Sequence, residues 1–192
     1  MLTWVRALGA ACLLLAPTHQ GLTASSPAPD TTGLEFLGYR AGARLDELAL
    51  HLRTSSGGKM RCRRSKADPR VTECRGSLND EQFGRTVELW VSAIDSVAGV
   101  ITLSGVLASG QLEHWREMLE SRYGRVGAQT QGAQWMLQWV RRGRMVRLTW
   151  RLERGEKIGS VSLVDGRVLD EWGRSSARTA KSSAAQPISR IR

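Results

Sequence analysis

The stretch that decides the fold is Gln134-Trp135-Met136-Leu137-Gln138-Trp139-Val140-Arg141-Arg142-Gly143-Arg144-Met145-Val146-Arg147-Leu148-Thr149-Trp150-Arg151-Leu152-Glu153. Apolar and polar side chains alternate on both sides of Arg142-Gly143, a tight-turn pair, and a period of two is the signature of a half-buried strand. Trp135, Leu137 and Trp139 fall on one face with Val146, Leu148, Trp150 and Leu152. Gln134, Gln138, Arg147, Thr149 and Arg151 fall on the other. The next strand-like segment, Ile158–Val164, continues the pattern, with Val161 and Leu163 opposed to Ser160 and Ser162. This predicts an antiparallel sheet with Trp135, Trp139 and Trp150 in the core and Arg147 and Arg151 outside. The outer face of Gln134, Gln138, Arg147, Thr149, Arg151, Ser160 and Ser162 is a candidate binding face. Such faces are also commonly just solvated.

Working outward, two amphipathic helices are expected. One spans 44–54, with Leu45, Leu48, Ala49 and Leu52 at helical spacing and a stop at Ser55-Ser56-Gly57-Gly58. The other spans 111–123, with Leu112, Trp115, Met118, Leu119 and Tyr123 on one face. Ser109 is placed to cap the second helix and Gly124 to end it. A shift of 67 residues superposes the two, aligning Leu45 with Leu112, Leu48 with Trp115, Leu52 with Leu119 and Gly57 with Gly124. Strand-like segments follow each helix: 59–65, 71–78, 87–94 and 99–104 after the first, and 134–141, 144–153, 158–164 and a short 167–172 after the second, with Asp165-Gly166 as a further turn. The expected fold is therefore α+β, built of two tandem helix-plus-four-strand units, 34–107 and 108–172, each with an antiparallel sheet packed on helix.

The tandem order of helix and antiparallel strands over 34–172 resembles the beta-lactamase inhibitor protein family, and more distantly the small outer-membrane assembly lipoproteins. Cys62 and Cys74 are similar in position to the disulfide in the first unit of the inhibitor family. The second unit here has no cysteine pair. No signature motif is shared, so the resemblance implies a fold and a habit of binding other envelope proteins, and carries over no inhibitory residue.

The ends of the chain read differently from its middle. Arg6 followed by the ten apolar residues Ala7–Ala16 and then Pro17 has the form of a secretory signal, 1–24, too short to span a bilayer. Cys12 leaves a lipidated alternative open. Residues 25–33 read as a polar linker, and 173–192, rich in Ser, Ala and Arg, as a disordered basic tail. Beyond the signal, two cysteines remain. An even count in an exported chain predicts a Cys62–Cys74 bridge across the hairpin that turns at Asp68-Pro69. A metal site or a redox pair would need a nearby histidine or a shorter spacing.

The formal net charge of the whole chain is +10, but residues 34–172 hold 22 Lys and Arg against 17 Asp and Glu. A body so mildly basic does not carry the footprint of a specific nucleic-acid binder. No HExxH, GxSxG or CxxC pattern occurs, and Gly57-Gly58-Lys59 lacks the rest of a phosphate loop. His51 and His114 each stand alone on an expected helix, and the adjacent acids Asp46/Glu47, Asp80/Glu81 and Asp170/Glu171 point different ways. These readings predict a periplasmic or secreted, non-catalytic protein-binding module without cofactor or metal, whose partner is another envelope protein. The alternatives are a polyanion or envelope-surface binder, taking anionic lipid or lipopolysaccharide through the basic tail and the sheet arginines, and an enzyme with an unrecognised site.

Overall fold

The computed structural model describes residues 33–184, with side chains as far as Ser175. The expected signal segment, Cys12, the linker up to residue 32 and the end of the tail from 185 lie outside the described residues. The described residues all belong to one compact unit.

Two short strands, β1 (Glu35–Phe36) and β2 (Tyr39–Arg40), precede helix α1 (Leu45–Ser56). Then come β3 (Arg61–Arg64), β4 (Val71–Asp80), β5 (Arg85–Ile94) and β6 (Val97–Val106), helix α2 (Gln111–Tyr123), β7 (Gln129–Gln131), β8 (Gln134–Arg141), β9 (Arg144–Glu153), β10 (Glu156–Asp165) and helix α3 (Gly166–Ala184). Five hairpins close on two-residue turns, and in four of them, Leu37-Gly38, Asp95-Ser96, Arg142-Gly143 and Arg154-Gly155, both φ values are positive. That backbone matches the right-handed twist of the strands it joins.

The expected pair of four-stranded units is corrected by the strand order. All eight strands β3 to β10 belong to one antiparallel sheet, ordered β3-β4-β5-β6-β10-β9-β8-β7. The seam is the β6–β10 ladder, from Ile158 opposite Val106 to Val164 opposite Val100. Joining the halves there removes two sheet edges, each of which would leave a row of unpaired backbone groups. The architecture is α+β, with the sheet predominant.

Two further expectations fail at the C-terminal end. The segment 167–172 is helical, and α3 continues through Ala184 where a structureless tail from 173 was expected. Asp165 starts a helix here. Its Oδ1 accepts the amide of Arg167 at 3.0 Å, as a capping carboxylate does. Val168, Leu169 and Trp172 then recur at helical spacing, and Leu169 Cδ2 comes within 2.9 Å of where a Cβ on Gly99 would stand. Ser109 does not cap α2; the cap residue is Gly110, without a side-chain cap bond.

One face of the sheet carries the core. Leu48 and Leu52 of α1 and Leu112, Trp115, Leu119 and Tyr123 of α2 are buried with Val87, Leu89, Val91, Ile101, Leu103, Leu137, Trp139, Val146, Leu148, Val161 and Leu163 of the strands. Phe36 meets Trp115 edge-on at 5.4 Å. Gly76 lets α1 approach β4: a Cβ there would stand 2.7 Å from Leu52 Cδ2. The Cys62–Cys74 disulfide is formed between directly opposed residues of β3 and β4, with Cα atoms 4.0 Å apart.

Candidate functional site

The register carries a continuous polar row across the other face of the sheet. Arg61 stands opposite Arg75, Arg75 opposite Trp90, and Trp90 opposite Thr102. Thr102 stands opposite Ser162, Ser162 opposite Arg147, and Arg147 opposite Gln138. All seven residues of the candidate face come together here: Ser160 is paired with Thr149 and Gln134 with Arg151, alongside Ser162, Arg147 and Gln138. Much of their bonding capacity is spent on neighbours. Arg147 donates from Nε and Nη2 to Gln138 Oε1 at 3.0 and 2.8 Å. Thr149 and Ser160 hydroxyls bond at 2.8 Å, Thr102 and Ser162 at 3.2 Å, and Arg151 donates to Glu153 at 2.9 Å. Arg151 is exposed, whereas the other six are half-buried. The face is a self-bonded polar layer, in which Arg147 is not the freely exposed side chain expected.

The opposite face holds a feature that strand periodicity did not foretell. Trp139 is in the core, its Nε1 donating to Gly124 O at 2.7 Å, but Trp135 is 39% exposed and Leu152 62%. Trp150 is half-buried. Trp135 and Trp150, directly opposed on β8 and β9, lie with ring planes 11° apart and centroids 6.3 Å apart. The side of the strand is as expected; the cover is missing. With Leu112, Glu113, Arg116 and Lys157 the two rings and Leu152 line a groove of ≈ 280 Å³. Its rim is polar: Lys157 Nζ pairs with Glu113 at 3.1 Å, and Arg116 with Glu120 at 2.7 Å. Glu113 is held below the usual carboxylate range by its own backbone amide and by Lys157.

A second cleft of ≈ 370 Å³ runs between α1, the β4–β5 turn and α2. Tyr39 and Trp115 are among its lining residues, and their Oη and Nε1 atoms are buried without a hydrogen-bond partner among the described residues. Burial pushes the Tyr39 phenol up to about 12, and the nearby Ser55 hydroxyl tempers the shift without completing a bond to it. The Ser55 proton goes to His51 O at 2.7 Å. His51 itself bonds Leu37 O at 2.9 Å, and His114 lies against the Phe83 ring.

At the end of the sheet, Asp165 is buried beneath Arg144 and Arg167, 2.8 and 2.9 Å away. Burial opposes its ionisation, but hydrogen bonds from the two guanidinium groups outweigh burial and hold it at about 2. This is a structural ion cluster that fixes the start of α3. Among the described residues no three His, Cys, Asp or Glu side chains gather as a metal-binding group, and no helix is long and apolar enough to cross a membrane.

No protein family, curated protein or solved structure was found to match the chain.

Proposed function

We propose that the protein is a non-catalytic binding module of the cell envelope, in the periplasm or outside the cell, that docks another protein against the Trp135–Trp150–Leu152 groove. The single observation that carries this reading is the pair of near-parallel tryptophans beside an exposed leucine. Each large aromatic buries roughly 150–250 Å² when covered, and Trp is enriched among the residues that dominate binding energy. The groove has the layout of an interface centre, with apolar rings in the middle and paired charges on the rim. The fitting occupant is a partner segment with an uncharged apolar anchor, because the rim charges are already matched within the chain. The disulfide suits an oxidising compartment.

The test compares capture of envelope proteins by the wild type, by Trp135→Ala with Leu152→Ala, and by Arg147→Ala with Arg151→Ala. One specific protein should be retained by the first and third and lost by the second, and its purified form should bind at least about tenfold more weakly to the groove variant. Equal retention by all three removes the groove from the proposal. Loss only with the arginine variant moves the docking surface to the polar face.

A further inference from the structure

The charge of the body is concentrated in one place. Residues 59–75 hold seven Lys and Arg (Lys59, Arg61, Arg63, Arg64, Lys66, Arg70 and Arg75) against Asp68 and Glu73 alone. That surplus of five equals the whole surplus of residues 34–172, so the remainder of the body is neutral. The segment forms one hairpin at one sheet edge. Arg63 pairs with Glu73 at 3.1 Å and Arg70 with Asp68 at 3.0 Å. Arg61 and Arg75 are exposed, directly opposite each other, and neither has a hydrogen-bond or ion partner among the described residues.

Like charges directly opposite across two strands are destabilising. Here they are held in place covalently. Arg61 precedes Cys62 and Arg75 follows Cys74, and the disulfide joins those two cysteines. Arg61, Arg63, Glu73 and Arg75 line an open concavity of ≈ 430 Å³. Trp90, half-buried, stands next to Arg75 in the same cross-strand row.

We propose that this clamped arginine pair is a binding site for a phosphate-bearing ligand, separate from the tryptophan groove. A guanidinium presents a planar fork that fits two oxygens of an oxyanion. Two unneutralised guanidiniums match a group of charge about −2 or more negative, which a phosphate monoester or diphosphate supplies and a carboxylate does not. Glu73, engaged by Arg63, leaves the pair unneutralised. The clamp fixes the two strand backbones that carry the arginines, so the edge strand has less freedom to lose on binding, which is preorganisation. The arginines of the outer face of β8–β10 do not offer this chemistry, because Arg147 is bonded to Gln138 and Arg151 to Glu153.

The phosphate can come from a soluble molecule or from a lipid headgroup, and two probes separate the sources. Inorganic pyrophosphate is titrated by calorimetry at 50 and 200 mM salt, and sedimentation is measured with phosphatidic acid vesicles, whose headgroup is a phosphate monoester, against phosphatidylcholine vesicles. The full chain should bind at least one anionic probe, more weakly at the higher salt. Arg61→Gln with Arg75→Gln should reduce that binding at least about tenfold. Arg61→Lys with Arg75→Lys should restore part of it, and Arg147→Ala with Arg151→Ala should leave it unchanged. The Gln variant should melt no lower than the wild type, since it relieves a repulsion. Pyrophosphate binding assigns the site to soluble phosphates, and vesicle binding alone assigns it to headgroups. Binding of neither probe, or undiminished binding by the Gln variant, overturns the proposal.

Discussion

The two edges of the sheet are unlike. The β3 edge is short, carries Arg61, Arg63 and Arg64, and is tied to its neighbour by a disulfide. The β7 edge is shorter still, Gln129-Thr130-Gln131, without charge or covalent tie, beside strands that bear large aromatics. Arginine on an edge strand discourages pairing with another chain and invites anions. Neutral glutamine beside exposed tryptophan does neither, and leaves apolar area to be covered. One fold thus presents two surfaces of opposite chemistry at its two ends, each built from residues that the core does not need.

The sharpest way to break this comparison is at the tryptophans. Trp139→Ala should cost about 3–5 kcal/mol, because a fully packed ring leaves a cavity, whereas Trp135→Ala two residues away on the same face should cost only about 1 kcal/mol. Urea denaturation of both variants measures the difference. Equal losses would mean that the β8 edge is part of the core and its groove is closed in solution. Next in size is the clamp. Reducing Cys62–Cys74 should destabilise the protein by about 3 kcal/mol on the loop-entropy account. Hydrogen exchange should then rise in β3 and β4 and stay unchanged in β7 and β8. An unchanged midpoint on reduction would show that the arginine edge holds its register without the bond.

The smallest effect belongs between the edges, at Asp165. Its folded pKa, about 2, lies below the value of an unfolded aspartate near 4. The stabilisation is therefore complete above about pH 4 and is lost as pH falls from there toward 2, amounting to about 2 kcal/mol. Asp165→Asn should be less stable at pH 7 and should lose less on going from pH 4 to pH 2. Parallel acid profiles for variant and wild type would remove the ion cluster as the cause.

Much of this was legible in local pattern. Helix α2 falls at 111–123 as its periodicity requires, the hairpins follow from alternation and turn pairs, and the bridge follows from two cysteines in one hairpin. The unread parts depend on distance or on averaging. Nothing near Val106 or Ile158 marks them as partners across 52 residues. Gln129–Gln131 has no apolar residue to betray a strand. The six residues 167–172 are too few to distinguish a period of two from one of 3.6. Trp135 has the alternation of a core residue, and only the reach of α2 decides that it is uncovered. The basic hairpin was diluted by summing charge over the whole body.

The place of β10 has a consequence for the order of assembly. The last strand among the described residues, β10, is fourth from the β7 edge, inserted between β6 and β9. Until it arrives, β6 offers seven residues of open ladder, Val100 to Val106, on its outer side, and β9 offers all ten of its own. The meander β3–β6 is complete in sequence some fifty residues before its partner is made. Closing the seam is a long-range event, slow compared with forming either set of hairpins, and the intervening state exposes two unpaired edges at once. Truncation before Glu156 would therefore leave both halves with sticky flanks, and the nascent chain needs protection from self-association until the strand that unites them has been synthesised.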